Sequence, residues 1–244
     1  MYSWRERLMK NNIDVHEKRK FDALGHAWWE ERGEFSPLHD LNPVRVTYIN
    51  DRAGLKGKTV VDVGCGGGIL SEALARIGAT VTGIDISEVS LSCAKAHSLQ
   101  EGLAIQYEMS SPEDYAASTR HQYDVVACME LLEHVPDPLS VVTACAHLAK
   151  PGGQLFFSTI NRTLKAYILA ILGAEHLLKL LPAGTHQYEK FIRPHELAGW
   201  CRQAGLEVLD ISGILYNPFL HHAALSRDTR VNYLLLARLP DPKS

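Results

Sequence analysis

The residues best suited to chemistry begin at Val60, in the run V-V-D-V-G-C-G-G-G that ends at Gly68. A short β-branched apolar stretch precedes these glycines and an amphipathic segment follows them, so they mark a strand-to-helix turn. Glycines there let a ligand approach the backbone closely, and the helix start offers free N–H groups. A second acid, Asp85, closes the next apolar run, T-V-T-G-I-D, about 20 residues past Gly64, where a carboxylate can accept both hydroxyls of a ribose. Downstream, Glu130, Glu133 and His134 follow the run Y-D-V-V-A-C-M. On a helix, positions i, i+3 and i+4 share one face. Two carboxylates and an imidazole on one face could hold a divalent ion that acidifies a bound hydroxyl, and hard oxygen ligands favour magnesium over zinc.

The glycine loop has two cofactor readings and one without a ligand. A nicotinamide fingerprint needs a third glycine at position 69, which is Ile69. Asp62, two residues before Gly64, would repel a pyrophosphate but suits the amino group of an amino-acid moiety. S-adenosylmethionine carries a ribose, an adenine and a zwitterionic amino acid without phosphate, so the acid-bearing loop favours it, with Asp62, Gly64, Gly66 and Asp85 as contacts. A ligand-free turn is the third reading, although three consecutive glycines sacrifice packing for nothing in that case. Met129 would border the cofactor near the sulfur or simply fill the core. The loop Ser110–Glu113 is placed to meet adenine. His134 has a second reading as pocket wall or general base with no metal, and His186 and His195 read as exposed or capping residues.

The elements that must position these groups alternate. Strands are expected at 59–64, 80–85, 104–109, 123–129, 154–160, 206–214 and 231–239, with helices at 69–78, 87–101, 139–150 and 195–205. This is the pattern of an α/β, Rossmann-like fold: a mostly parallel seven-stranded sheet with helices on both faces. Ligands of such sheets bind beyond the carboxyl ends of the strands, where strand order reverses. Residues 1–56 read as a helical N-terminal extension with a loop at Gly33–Pro37, and Asn42-Pro43 as a cap and first-turn proline opening a helix. Residues 57–160 form the cofactor core, 161–193 an apolar insertion, and 194–244 the rest of the sheet, all in one domain.

Composition agrees with a folded α/β domain. The 244 residues are 46% hydrophobic and 22% charged, with a net charge of −3. That balance argues against disorder and against wrapping on nucleic acid. Five cysteines, none in C-x-x-C spacing, fit neither a disulfide scaffold nor a zinc ribbon. With no apolar leader and no run long enough to span a bilayer, the chain reads as cytoplasmic.

Together D-V-G-C-G-G-G, T-G-I-D-I-S, C-M-E-L-L-E-H-V-P-D-P and K-P-G-G-Q-L-F-F-S-T-I-N-R resemble the class I S-adenosylmethionine-dependent methyltransferases. The blocks W-W-E-E-R-G-E-F-S-P-L-H-D-L-N-P-V-R, G-A-E-H-L-L-K-L-L-P-A-G-T-H-Q-Y-E-K-F-I-R-P-H-E-L and L-Y-N-P narrow that resemblance to the bacterial ubiquinone-biosynthesis O-methyltransferases, over nearly the whole chain. The resemblance implies methylation of a 2-polyprenyl-6-hydroxyphenol and of a 3-demethylubiquinol. It implies cofactor contacts at Arg45, Gly64, Asp85 and Met129, with Arg45 reaching a carboxylate bidentately. Eukaryotic relatives imply a metal at the E-x-x-E-H arrangement.

A polyprenyl substrate also gives the insertion a purpose. Its helix over residues 166–181 is apolar with a thin polar stripe, flanked by Arg162, Lys165 and Lys190. Such a helix could lie in the lipid interface at the inner face of the cytoplasmic membrane and admit the tail, or close as a lid. The implied partners are the polyprenyl phenol or quinol, lipid and a ubiquinone-biosynthesis complex, with no nucleic acid. The alternative functions are a non-catalytic S-adenosylmethionine- and lipid-binding module and a methyltransferase for another small phenol. Residues 220–229 carry no recognisable motif.

Overall fold

The computed structural model describes residues 12–30, 33–120, 122–163, 166 and 188–241. Helix α1, Val15–Leu24, starts at Asp14, whose carboxylate accepts from the amides of His16 and Glu17. Helix α2, Ser36–Ala53, has Pro37 in its first turn and ends at Gly54. The expected start at Asn42-Pro43 is therefore corrected: the helix begins seven residues earlier, about two turns, and carries Pro43 inside. An internal proline removes one N–H and crowds a carbonyl. Burial of Leu41, Arg45, Tyr48 and Ile49 along one face holds the helix together across it. Asn42 caps nothing here; its side-chain amide donates to the Ile69 carbonyl at 3.0 Å.

The sheet then forms from β1 (Thr59–Val63), β2 (Thr80–Asp85), β3 (Gln106–Met109), β4 (Tyr123–Met129), β5 (Ala149–Ile160), β6 (Glu207–Asn217), β7 (His222–Ser226) and β8 (Asn232–Arg238). The intervening helices are α3 (Ile69–Arg76), α4 (Glu88–Gln100), α5 (Pro112–Ser118), α6 (Pro138–Leu148) and α7 (Pro194–Gln203). Strand order is β3-β2-β1-β4-β5-β8-β6-β7, eight strands rather than seven. The additional strand lies in the segment without a motif: β7 pairs antiparallel with β6, from Gly213↔Ser226 to Asn217↔His222. Pairing is parallel from β3 through β5 and antiparallel beyond. Strand β5 also begins earlier than its apolar run. Ala149 pairs with Tyr123, and the register shifts before Val125 takes Gln154, so Pro151-Gly152-Gly153 bends the strand instead of preceding it.

Alternation along the strands builds a core on each face. Val61, Val63, Phe157 and Leu235 point toward α5, α6 and α7. Val60, Phe156, Leu234 and Leu236 point toward α2 and α3, where the Tyr48 ring meets Phe156 edge-on at 5.9 Å. Strand order reverses between β1 and β4, which opens a crevice at their carboxyl ends. No helix among the described residues is long and apolar enough to cross a membrane. The insertion helix expected at 166–181 lies, except for Ala166, outside the described residues.

Candidate active site

A cavity of about 580 Å³ occupies that crevice, and Arg45, Asp62, Gly64, Gly66, Asp85, Met129, Glu130, Glu133 and His134 all lie on its wall. Its floor is the glycine loop. Gly64 and Cys65 donate their amides to the Ile84 carbonyl at 2.9 and 3.0 Å, pinning the loop to β2. Gly66 donates to Asp85 Oδ2 at 2.9 Å, and Ser87 to Asp85 Oδ1 at 2.8 Å. Asp85 thus fixes the loop and the start of α4 while facing the cavity. Burial raises its carboxyl above the usual range despite those amides. Asp62 is buried, accepts from the Ser71 hydroxyl at 2.6 Å, and is pushed up to about 6 by burial. A cationic group brought beside it would restore its charge.

The third glycine of the loop answers to a protein neighbour. A Cβ on Gly67 would stand 2.2 Å from Trp28 Cγ, and one on Gly66 2.5 Å from Trp28 Cη2. The Trp28 ring lies over the loop, stacks on Phe35 at 3.8 Å and donates through Nε1 to Ser90 at 3.0 Å. Trp29 stacks on His97 and donates to the Gly67 carbonyl. The two tryptophans of the N-terminal extension therefore cover the loop from outside the sheet. Met129, the last residue of β4, both joins the core and faces the cavity, so its two readings are compatible. Ser110 to Glu113 are not among the cavity walls: Ser111 caps α5, and Glu113 accepts from Asn12 at 2.9 Å.

The acidic cluster departs from its expected form. Glu130 sits in left-handed backbone, φ 52°, and Leu132–His134 is a single 3-10 turn, so no helix face aligns the three side chains. Glu130 Oε1 accepts from Arg45 Nη2 and from the Ser158 hydroxyl, each at 2.7 Å. Arg45 and Ser158 keep Glu130 ionised against the cost of its burial. Glu133 accepts from Thr159 at 2.8 Å and hydrogen-bonds to Glu130. Burial and the neighbouring Glu130 charge push Glu133 well above the carboxylate range, so the pair holds one proton on Glu133. His134 turns the other way, with Nδ1 3.0 Å from Glu17 Oε2 and its ring edge-on to Phe21. Burial opposes ionisation of Glu17, but His134, Lys20 and Lys190 outweigh it and draw the carboxyl down to about 2.

Among the described residues no group of three or more His, Cys, Asp or Glu is arranged to hold a metal ion. The expected magnesium set of Glu130, Glu133 and His134 is not assembled as folded, because Arg45 claims one member and Glu17 another. S-adenosylmethionine fits better. Arg45 Nε is buried without a partner, as are Asn42 Oδ1 and Glu34 Oε2, and all three residues face the cavity. Unpaired buried polar atoms are costly and here wait on a polar ligand. Sequence reading missed Glu17, Trp28, Ser158 and Thr159; only the Trp-Trp pair carried a visible signal.

A family model described as a methyltransferase domain matches residues 43–211. The ubiquinone biosynthesis O-methyltransferase of Pseudomonas paraeruginosa is 57% identical over 225 residues, covering 92% of this chain and 97% of that protein. The protein of the same name from Pseudomonas aeruginosa is 56% identical over the same shares. This chain belongs to the ubiquinone biosynthesis O-methyltransferases. The enzyme is an S-adenosylmethionine-dependent O-methyltransferase. Solved structures agree at the level of the fold. The magnesium protoporphyrin IX methyltransferase of Synechocystis PCC 6803, crystallised with S-adenosylhomocysteine, superposes with a TM-score of 0.63 at 19% identity, over 91% of this chain and 99% of that one. A methyltransferase from Aquifex aeolicus gives 0.60 at 16% identity, over 93% and 99%.

Proposed function

We propose that the enzyme methylates the hydroxyl of a 2-polyprenyl-6-hydroxyphenol and that of a 3-demethylubiquinol in one cavity, with His134 as general base. The observation that carries this reading is the Glu17–His134 pair on the wall of a cavity that also holds the glycine loop. A phenol has a pKa of about 10, so its oxygen must lose a proton to become a good nucleophile. Glu17 accepts from Nδ1, which leaves Nε2 as the nitrogen for the substrate proton and stabilises the imidazolium that results. When bound, S-adenosylmethionine supplies the electrophilic methyl group. Arg45 would hold its carboxylate, Asp62 its amino group and Asp85 its ribose, with Gly64, Gly66 and Met129 shaping the pocket. Glu130 keeps Arg45 oriented, and the neutral Glu133 avoids a second negative charge beside it. No step here runs through a metal.

The polyprenyl acceptor also supports peripheral attachment to the inner face of the cytoplasmic membrane through residues 166–181, and service in a ubiquinone-biosynthesis complex. The sequence of that segment, apolar with Glu175, His176 and Lys179 in a thin polar stripe, supports this reading. The deciding experiment measures transfer of labelled methyl to a short-prenyl catechol with magnesium and again with chelator. Equal product in both is the expected result. Product only with magnesium would replace His134 by a metal as the source of acidity. No product in either, with S-adenosylmethionine still bound, would refute the acceptor.

A further inference from the structure

The apolar wall of the cavity runs outward along the β6–β7 hairpin. Ile160, Asn232 and Ile214 stand side by side across β5, β8 and β6, through the pairs Ile160↔Asn232 and Ile214↔Asn232, and all three face the cavity. From Ile214 the chain continues through Leu215 and Tyr216 to a turn at Asn217-Pro218-Phe219-Leu220. Leu215, Pro218 and Phe219 also line the cavity. Yet Leu215 is 51% exposed, Phe219 76% and Leu220 73%. The tip is thus both the rim of the cavity and a cluster of large apolar side chains left in water.

The tip is held in place. Asn217 Oδ1 accepts the amides of Phe219 and Leu220 at 3.0 and 3.1 Å, closing the turn. Asp40 on α2 accepts from the Tyr216 hydroxyl at 2.7 Å and lies 2.9 Å from His221 Nδ1, so one carboxylate ties both β6 and the turn to α2. Three residues before Tyr216 in β6, Gly213 passes so close to the Asp228 carbonyl that a Cβ would stand 1.9 Å from it. A hairpin fastened at its root, its flank and its turn presents its apolar tip in a fixed position. With the backbone already held, an apolar ligand need order only the side chains of the tip on binding.

We infer that Leu215 and Phe219 on the cavity rim, with Leu220 beside them at the turn, form a subsite for the first isoprenoid units of the acceptor's tail where it leaves the cavity. The inference rests on the proposed polyprenyl acceptor. The ring would sit among the polar groups at the inner end, and a linear hydrocarbon chain would pass over the rim, covering side chains that otherwise face water. Burying one such side chain favours binding by roughly ten- to hundredfold.

The test measures binding of farnesol, a tail with no ring, to the full chain and to Leu215→Ser/Phe219→Ser/Leu220→Ser. A loss of tenfold or more in farnesol affinity, with S-adenosylmethionine affinity and melting temperature retained, is the expected result. Phe219→Leu, which keeps an apolar surface, restores most of it. Equal affinity in the full chain and the triple variant overturns the subsite. So does a triple variant that loses binding to phosphatidylglycerol vesicles while keeping farnesol, since the tip then serves the bilayer. Farnesol bound through the tip by an enzyme that methylates no prenyl catechol would support the subsite and refute the proposed acceptor.

Discussion

Replacing Gly67 by alanine should damage the enzyme because of Trp28, and a double-mutant cycle can show it. The added Cβ would lie 2.2 Å from Trp28 Cγ, 2.4 Å from its Cβ and 2.7 Å from its Cδ2. Carbon atoms settle about 3.5–4.0 Å apart, so the indole must retreat by about 1.3 Å. That movement breaks its 3.8 Å stack on Phe35 and its 3.0 Å hydrogen bond to Ser90. Overpacking costs about 1–3 kcal/mol and the hydrogen bond about 1 kcal/mol. The alanine returns about 0.4–1 kcal/mol by restricting the unfolded chain, and Gly67 has no positive φ to add strain. The net loss is about 2 kcal/mol, or about 4–8 °C in melting temperature for a chain of this size. In a Trp28→Gly background, itself weaker by at least about 3–5 kcal/mol, the Cβ at position 28 is gone along with the ring, so the same substitution meets an empty space and should cost close to nothing. Urea unfolding of the four proteins gives the coupling, expected at about 2 kcal/mol. An equal cost in both backgrounds would refute the steric argument. If Gly67→Ala in the Trp28→Gly background still abolished S-adenosylmethionine binding, the glycine would be serving the cofactor.

Asp62→Asn tests the buried acid of the loop. Its carboxyl is raised from 3.8 to about 6 by burial, so it binds a proton more tightly folded than unfolded. The stabilisation is full below about pH 4 and is lost as pH rises through about 6. The asparagine variant should therefore melt higher than the parent at pH 7.5, by up to about 3 kcal/mol, match it near pH 4, and bind S-adenosylmethionine more weakly. Melting curves from pH 4 to 8 decide it, and a parallel pH response in both proteins would contradict it. Arg45→Met leaves Glu130 buried with only the neutral donors Ser158 and Glu133. A loss of about 3–5 kcal/mol in unfolding free energy and at least tenfold in cofactor affinity is expected by denaturation and calorimetry. His134→Ala should lower kcat by about 10²–10⁴ with cofactor affinity intact, and Glu17→Gln should fall between it and the parent. Loss of cofactor binding in either would remove them from the chemistry.

Much of the scaffold was legible in the sequence because its signals are local. Strands β1, β2 and β4 match their apolar runs at the residue or nearly so, since a buried parallel strand is a short β-branched run whatever surrounds it. Helix α4 follows its serine cap, and Asp85 falls at the end of β2. Other elements were misread where two local signals competed. Pro37 and Pro43 both suit a first turn, and packing of Leu41 and Arg45 against the sheet chose the earlier one. Strand β7 is only half-buried and has no apolar run of its own. It exists because β6 offers it an edge.

The sequence alone determined the fold class, the glycine loop, the acid after β2 and, through resemblance, the family. It could not determine what the acidic cluster does. Spacing placed Glu130, Glu133 and His134 on one face, but the left-handed backbone at Glu130 divides them, and their partners come from afar: Arg45, Ser158 and Thr159 on one side, Glu17 on the other. Nor does the glycine run show that Trp28 lies over Gly66 and Gly67. The physical reason is the same in each case. Backbone preferences and apolar periodicity act within a few residues, whereas the charge state and orientation of a buried polar group are set by whichever distant side chain the packed sheet brings within 3 Å.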